Sequence, residues 1–361
     1  MKHLIGINSR GNITIFNTPS LVHKFIADTL RAHPLKALKG QLISCLLFVV
    51  SVFVPVSAQM ADPMVSQDKP EKLAAHSWMI SDKNIPLVPN VGIIVGSHST
   101  LVIDTGTGPA NGEIVHDAAL ALEPKNKLYL ATTHIHPEHD LGASGFPDST
   151  TMIRSESQQR EIAADGLALS HDLQNMSPIL RELLTGSEFR AADVTYSNSY
   201  ELDLGGVTVI MMSVGPAHTL GDTAFHVVED NVLFAGELMV NSIPNLFSQF
   251  SHIENWSVSL DKLADLNAET IVPSHGDLVD IDTKSKLQEF LGDLLNRVTE
   301  LNTGAANRAA VAETLKKELS DKYSDWTSNL NTDYYDRVMQ SAASSAFKTL
   351  DRRPPAGPEA N

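Results

Sequence analysis

The chain has 361 residues, 42% of them hydrophobic, and a formal charge of −16. That length allows one large domain or two modest ones with a sizeable core. The acidic balance argues against a nucleic-acid partner, which needs Lys and Arg to neutralise phosphates, and weakly against an anionic membrane surface.

The amino terminus differs from the rest. Lys2, Arg10, Lys24, Arg31, Lys36 and Lys39 stand against a single acid, Asp28, ahead of an apolar run from Leu42 to Val56. A basic segment, a short apolar run and then Val56-Ser57-Ala58, with small residues at both specificity positions, predict a secretory signal over 1–58 cleaved after Ala58. The run contains Pro55 and falls short of the ~20 residues a spanning helix needs, so no stable membrane anchor is expected after cleavage. The expected location is the periplasm or the exterior. Cleavage also removes Cys45, the one cysteine, leaving no disulfide and no thiolate ligand. Residues 59–72 are polar and contain proline, which predicts a flexible lead-in.

Residues 76–281 carry the candidate chemistry. Val91–Gly96 and Leu101–Gly106, around a polar turn, predict a hairpin that ends in Asp104-Thr105-Gly106. Asn111–Leu122 has helical periodicity and crosses over to a strand at Lys127–Thr132. That strand runs into Thr133-His134-Ile135-His136-Pro137-Glu138-His139-Asp140, with three imidazoles and two carboxylates in seven residues. A cluster where a strand becomes a loop is well placed for chemistry on a rigid sheet. His134 and His136, two apart on extended backbone, can converge on one ion. Glu138 and His139 follow the turn at Pro137 and can face a second position. Neutral imidazoles and carboxylates suit zinc, and iron or manganese would also accept them.

Downstream, Leu141-Gly142-Ala143-Ser144-Gly145 lets the backbone turn tightly. Residues 155–184 look helical and are longer than a simple crossover, so they form either a lid over the cluster or a packing insertion. A second hairpin, Tyr200–Leu204 with Val207–Ser213, leads to Gly215-Pro216-Ala217-His218. Strands at Thr223–Val228 and Asn231–Ala235 end in Gly236-Glu237. An amphipathic helix from Glu254 to Leu266 precedes the strand Thr270–Pro273, which delivers Ser274-His275-Gly276.

The pattern His134-x-His136-x-Glu138-His139, with His218, Glu237 and His275 in order behind it, resembles the H-x-H-x-D-H signature of the metallo-β-lactamase superfamily. Glu138 stands where that signature has Asp, and Glu237 is a second Asp-to-Glu departure. The resemblance implies an α/β protein with a four-layer αββα sandwich and metals at one edge. It implies that His134, His136 and His218 hold one metal and Glu138, His139 and His275 a second. Glu237 would then lie between the metals, and Asp104 would support the ligands from behind. Two zinc ions are expected, with a bridging hydroxide as nucleophile and Glu138 as a catalytic group that orients it or returns a proton. An exported hydrolase is expected, cleaving a small ester, lactone, thioester or β-lactam. The alternatives are a mononuclear iron dioxygenase acting on a thiol or persulfide, and a metal-binding protein without catalysis.

Residues 282–350 read as helical, with Leu287, Phe290, Leu291, Leu294, Leu295, Val298 and Leu301 at i, i+3, i+4 spacing. They form either a cap on the domain or the contact of a homodimer. The Pro-rich residues 351–361 predict a disordered tail.

Overall fold

The structure is a computed structural model that describes residues 4–7, 13–16, 62–246, 250–301, 308–327 and 332–352. It divides into two units, Met1–Gln59 and Met60–Asn361. In the first, β1 (Leu4–Ile7) pairs antiparallel with β2 (Ile13–Phe16). The rest of the expected signal, its cleavage site included, lies outside the described residues, as do residues 353–361 of the expected tail.

The second unit holds two sheets. β3 (Glu71–Lys72), β4 (Ser77–Ile80), β5 (Val91–Val95), β6 (Ser99–Ile103), β7 (Lys127–Ala131), β8 (Thr151–Ser155) and β9 (Val194–Tyr196) pair in that order. Pairing is antiparallel up to β6 and parallel from β6 onward. A parallel step needs a crossover, which α1 (Pro109–Leu122) provides between β6 and β7. The short helix α2 (Pro137–Asp140) lies between β7 and β8. Between β8 and β9 run α3 (Glu156–Glu161), a π-helical turn Ile162–Gly166, α4 (Leu167–Met176) and α5 (Pro178–Leu183), so this segment is helical over the expected range. α4 packs against α2, which is the helix inside the His cluster.

β10 (Ser199–Asp203), β11 (Thr208–Ser213), β12 (Thr223–Val227), β13 (Val232–Gly236) and β14 (Thr270–Pro273) form the second sheet. Its one parallel pair, β13 with β14, is joined through α6 (Ile253–Ala264).

Side-chain alternation sorts residues between layers. Ile94, Leu101 and Ile103 of the first sheet meet Val209, Met211, Phe225 and Phe234 of the second in one buried cluster. Val102 points the other way and packs with Val115 and Ala119 of α1. On the far side of the second sheet, Leu233 and Ile271 pack against Trp256 and Leu260 of α6. The order is therefore helix, sheet, sheet, helix, the expected αββα sandwich.

The carboxy-terminal stretch is helical: α7 (Asp282–Leu301), α8 (Arg308–Lys322), α9 (Ser324–Thr327) and α10 (Thr332–Arg352). Leu287, Phe290, Leu291, Leu294 and Val298 are buried as their spacing predicts, in one cluster with α6 and with Met339, Ala346 and Phe347 of α10. The extension thus caps the outer helical layer. Among the described residues no helix is long and apolar enough to cross a membrane.

The lead-in corrects its expectation from residue 62 onward. Val65 is 3% exposed, its N–H donates to Asn111 Oδ1 at 2.6 Å, and Asn111 Nδ2 returns a bond to Pro63 O at 3.0 Å. Composition alone misses such docking because a single apolar side chain and one buried amide supply it.

Candidate metal centre

The ends of β6 and β7 build the first part of the site. Asp104, one residue past β6, sits at φ 65°, a left-handed conformation that an ordinary side chain adopts only when its surroundings hold it there. Its carboxylate accepts Thr133 N–H at 2.7 Å, the Thr133 hydroxyl at 3.0 Å and His139 Nδ1 at 2.9 Å. Because the Thr133 hydroxyl donates to Asp104, it accepts from His134 Nδ1 at 3.0 Å. Asp104 therefore holds His139 directly and His134 through Thr133. Gly142 allows the backbone behind the cluster to close up, since a Cβ there would lie 2.4 Å from Thr105 O.

The other two imidazoles come from the second sheet. His218, five residues before β12, donates from Nδ1 to Asn245 O at 2.8 Å and meets the Trp256 ring edge-on with centroids 5.8 Å apart. The segment that supplies this carbonyl is held by the extension, through Trp326 Nε1 to Asn241 Oδ1 at 3.0 Å and through the Ser341 hydroxyl to Leu246 O. His275, two residues past β14, donates from Nδ1 to Val88 O at 2.8 Å. Its turn is fixed by Asp82, which accepts Gly276 N–H at 2.8 Å, and by Asn90, which donates to Gly276 O at 2.8 Å.

These restraints bring the donors into two groups. His134, His136 and His218 offer ligand atoms all within 4.8 Å of one another, and so do His139, Glu237 and His275. In the first group the rings stand near-perpendicular, with centroids 4.6 to 4.8 Å apart. His136 Nδ1 approaches His218 Nε2 to 3.2 Å. In the second, His275 Nε2 lies 3.2 Å from Glu237 Oε1. The groups adjoin, since the His134 and His139 centroids are 4.1 Å apart.

Electrostatics suit cation binding. Burial, and then the neighbouring imidazoles, hold His134 and His136 well below the ordinary histidine range, so both present neutral rings. His218 is lowered by burial as well. Burial would also lower His139, but the Asp104 carboxylate outweighs it and lifts the metal-free ring to about 9, so a cation binding at Nε2 takes the place of a proton there. Burial would raise Glu237, yet His275, His218 and His139 hold it ionised. The test of fit is the buried nitrogens: His134 Nε2 and His139 Nε2 have no hydrogen-bond partner among the described residues. An orphaned buried polar atom costs about 1–3 kcal/mol, and a divalent metal at each group would satisfy both. The residues fit the metals that the sequence implies.

Glu138 is placed differently from the sequence expectation. It is half-buried on α2 and belongs to neither donor group, while its charge still acts on His139. Glu237, expected between the metals, joins His139 and His275 and acts on His218 as well.

Sequence reasoning missed the polar groups behind the donors. Asp140 is fully buried and paired with Arg154, whose Nη2 reaches Asp140 Oδ1 at 2.9 Å and whose Nη1 reaches Thr132 Oγ1 at 2.9 Å. A charged residue inside Met152-Ile153-Arg154-Ser155, a strand otherwise buried, was the available signal. Asp222 also sits buried below the His218 turn, accepting the Thr219 hydroxyl at 2.7 Å and Ala217 N–H at 3.1 Å.

Two of these supports lend themselves to measurement. Asp104→Asn keeps the shape but has one acceptor oxygen where His139 Nδ1 and the Thr133 N–H use two, so metal affinity at the His139 group is expected to fall ~10–100-fold in a chelator-competition titration. The second support is Asp222, which burial pushes up to about 8 from 3.8. A raised acid contributes stability that is fully present below its unfolded value and is lost as pH rises through its folded one. His134, His136 and His218, held low by burial, act in the opposite direction in both proteins, so the effect is read as a difference: metal-free wild type is expected to lose melting temperature relative to Asp222→Asn as pH rises from 4 towards 8.

An αββα sandwich with two adjoining His-rich donor groups at the strand ends defines a class of metal-binding hydrolase folds. A profile of the metallo-beta-lactamase superfamily matches residues 84–275, more than half of the chain, and the chain belongs to that superfamily. It is 26% identical over 104 residues to a Beta-lactamase-like protein 2 homolog from Caenorhabditis elegans, covering 29% of this chain and 34% of that protein. It is 24% identical over 230 residues to a linear primary-alkylsulfatase from Pseudomonas sp., covering 55% of this chain and 43% of that one. The chain thus spans less than half the length of these relatives. Among solved structures, a metallo-beta-lactamase family protein from Thermus thermophilus matches with a TM-score of 0.56 at 16% identity, covering 78% of this chain and 92% of that one. That likeness concerns the fold.

Proposed function

We propose that this protein is a metal-dependent hydrolase of small ester-type substrates, with one divalent metal held by His134, His136 and His218 and a second by His139, Glu237 and His275. The observation that carries the reading is the pair of adjoining three-donor groups with their orphaned buried nitrogens. Metals bound there supply Lewis acidity, which brings the pKa of a coordinated water towards neutrality and polarises the oxygen of a scissile group. The chain's own residues do the rest. Asp104, Asn245 O and Val88 O hold the ring tautomers so that the remaining nitrogens face the site. Glu138, outside both groups and half-exposed, is available to take a proton from the attacking water and return it to the leaving group.

Zinc is the proposed metal, because histidine and carboxylate donors without a thiolate suit it. Carboxylic esters, thioesters, lactones and β-lactams all present an oxygen to be polarised. The alkylsulfatase relative adds sulfate esters to the substrates worth testing. Export through the amino-terminal segment is part of the proposal, and mature protein recovered outside the cytoplasm would begin at Gln59.

The reading is tested by assaying purified protein on an aryl ester, a thioester, a lactone, a β-lactam and an alkyl sulfate, before and after chelation. Hydrolysis of at least one, lost with chelator and restored by zinc, is the expected result. Metal binding without turnover on any of them would point to a protein without catalysis. Oxygen uptake with a thiol substrate would point to a dioxygenase.

A further inference from the structure

α3 reaches both loops that carry the first donor group. It starts directly after β8, where Ser155 caps it by accepting Gln158 N–H at 3.2 Å. From there Gln158 Nε2 donates to Thr132 O at 3.0 Å, two residues before His134. Three residues on, Glu161 Oε1 accepts Leu220 N–H at 2.9 Å and Oε2 accepts Gly221 N–H at 2.9 Å, in the turn that follows His218. Both side chains are buried. The contact is close: a Cβ on Gly221 would stand 2.4 Å from Gln158 Cα.

A carboxylate that takes two successive backbone amides fixes a turn in position as well as in distance, and such charge-assisted bonds are the stronger kind. Burial pushes Glu161 up to about 7, so its carboxylate sits here at a cost that ordinary packing would not call for. Past Glu161 the helix widens into the π-helical turn 162–166, an irregularity that often marks a functional position. It then continues as α4, which lies on the helix bearing His139. The 155–184 insertion is thereby attached to both donor groups.

We propose that Glu161 and Gln158 are positioning residues that clamp the His218 turn against the strand end bearing His134 and His136, setting the geometry of that triad and tying it to the insertion. The inference rests on the reading of the triad as a metal site.

The test uses full-length protein with Glu161→Ala, Glu161→Gln and Gln158→Ala. Two readouts are taken: amide hydrogen exchange over residues 215–223 in metal-free protein, and affinity and visible spectrum with cobalt(II). Glu161→Ala should accelerate exchange in that turn and weaken the triad's cobalt affinity about tenfold or more, with a changed d–d band. Glu161→Gln keeps one acceptor and should fall between alanine and wild type. Wild-type exchange and spectra in both Glu161→Gln and Gln158→Ala would overturn the clamp, even if Glu161→Ala failed to fold. Wild-type protein that took up no cobalt would instead sink the metal-site reading, while the exchange measurement would still decide the clamp.

Discussion

Glu237→Ala is expected to abolish the proposed hydrolysis and to remove one of the two proposed metals. The side chain is 5% exposed, lies 3.2 Å from His275 Nε2 and is the only acid in either donor group. Without it, His139 and His275 offer two imidazoles and no negative charge, and the partner charge that holds them to one cation is gone. Losing a residue behind the ligands typically costs ~10–100-fold in affinity or activity, and a direct donor should cost more than that upper figure. Turnover would be followed on the best substrate of the panel and metal content by mass spectrometry. Metal bound at the His134 group should survive. Unchanged stoichiometry with near-normal turnover would show that Glu237 is not a ligand.

The second large effect is on folding. Arg154 and Asp140 are both fully buried, and Thr132 bonds to each of them. Arg154→Met leaves a bare carboxylate in the core beside His139, and breaking a buried pair from one side costs about 3–5 kcal/mol. Denaturation with urea should show a loss of that size. Adding Asp140→Leu to the same chain should recover most of it, because replacing a whole buried pair with apolar groups is often close to neutral. If the single variant lost under ~1 kcal/mol, a value typical of exposed pairs, the network would be an ornament of the fold.

Much of this molecule could be read from its sequence, for a physical reason. His134, His136 and His139 are close in the chain, so their convergence needs only a strand end and one turn of helix. The stripe Leu287, Phe290, Leu291 and Leu294 likewise announces α7 by local spacing, and the structure buries it as predicted. His218, Glu237 and His275 arrive from distant strands, and their place came from the resemblance rather than from periodicity. Rotamers could not be read at all. Glu138 and Glu237 look interchangeable as carboxylates beside a donor cluster, and only the three-dimensional arrangement groups Glu237 with His139 and His275. The supports were the least legible. Glu161 and Asp222 act on backbone N–H groups of turns, Gln158 acts on the carbonyl of Thr132, and Asn245 and Val88 lend only their carbonyl oxygens, so their side-chain identities give no signal. Edge strands were also missed: β3 has two residues, and β9 only three, with no full alternation to read.

If the two donor groups hold two metals side by side, the mature protein carries both through purification. The most direct measurement is metal content per chain of the purified mature protein, by native and elemental mass spectrometry after dialysis against trace zinc. About two zinc ions per chain is the predicted result. A single iron, with no second ion taken up on titration, would contradict the two-metal site.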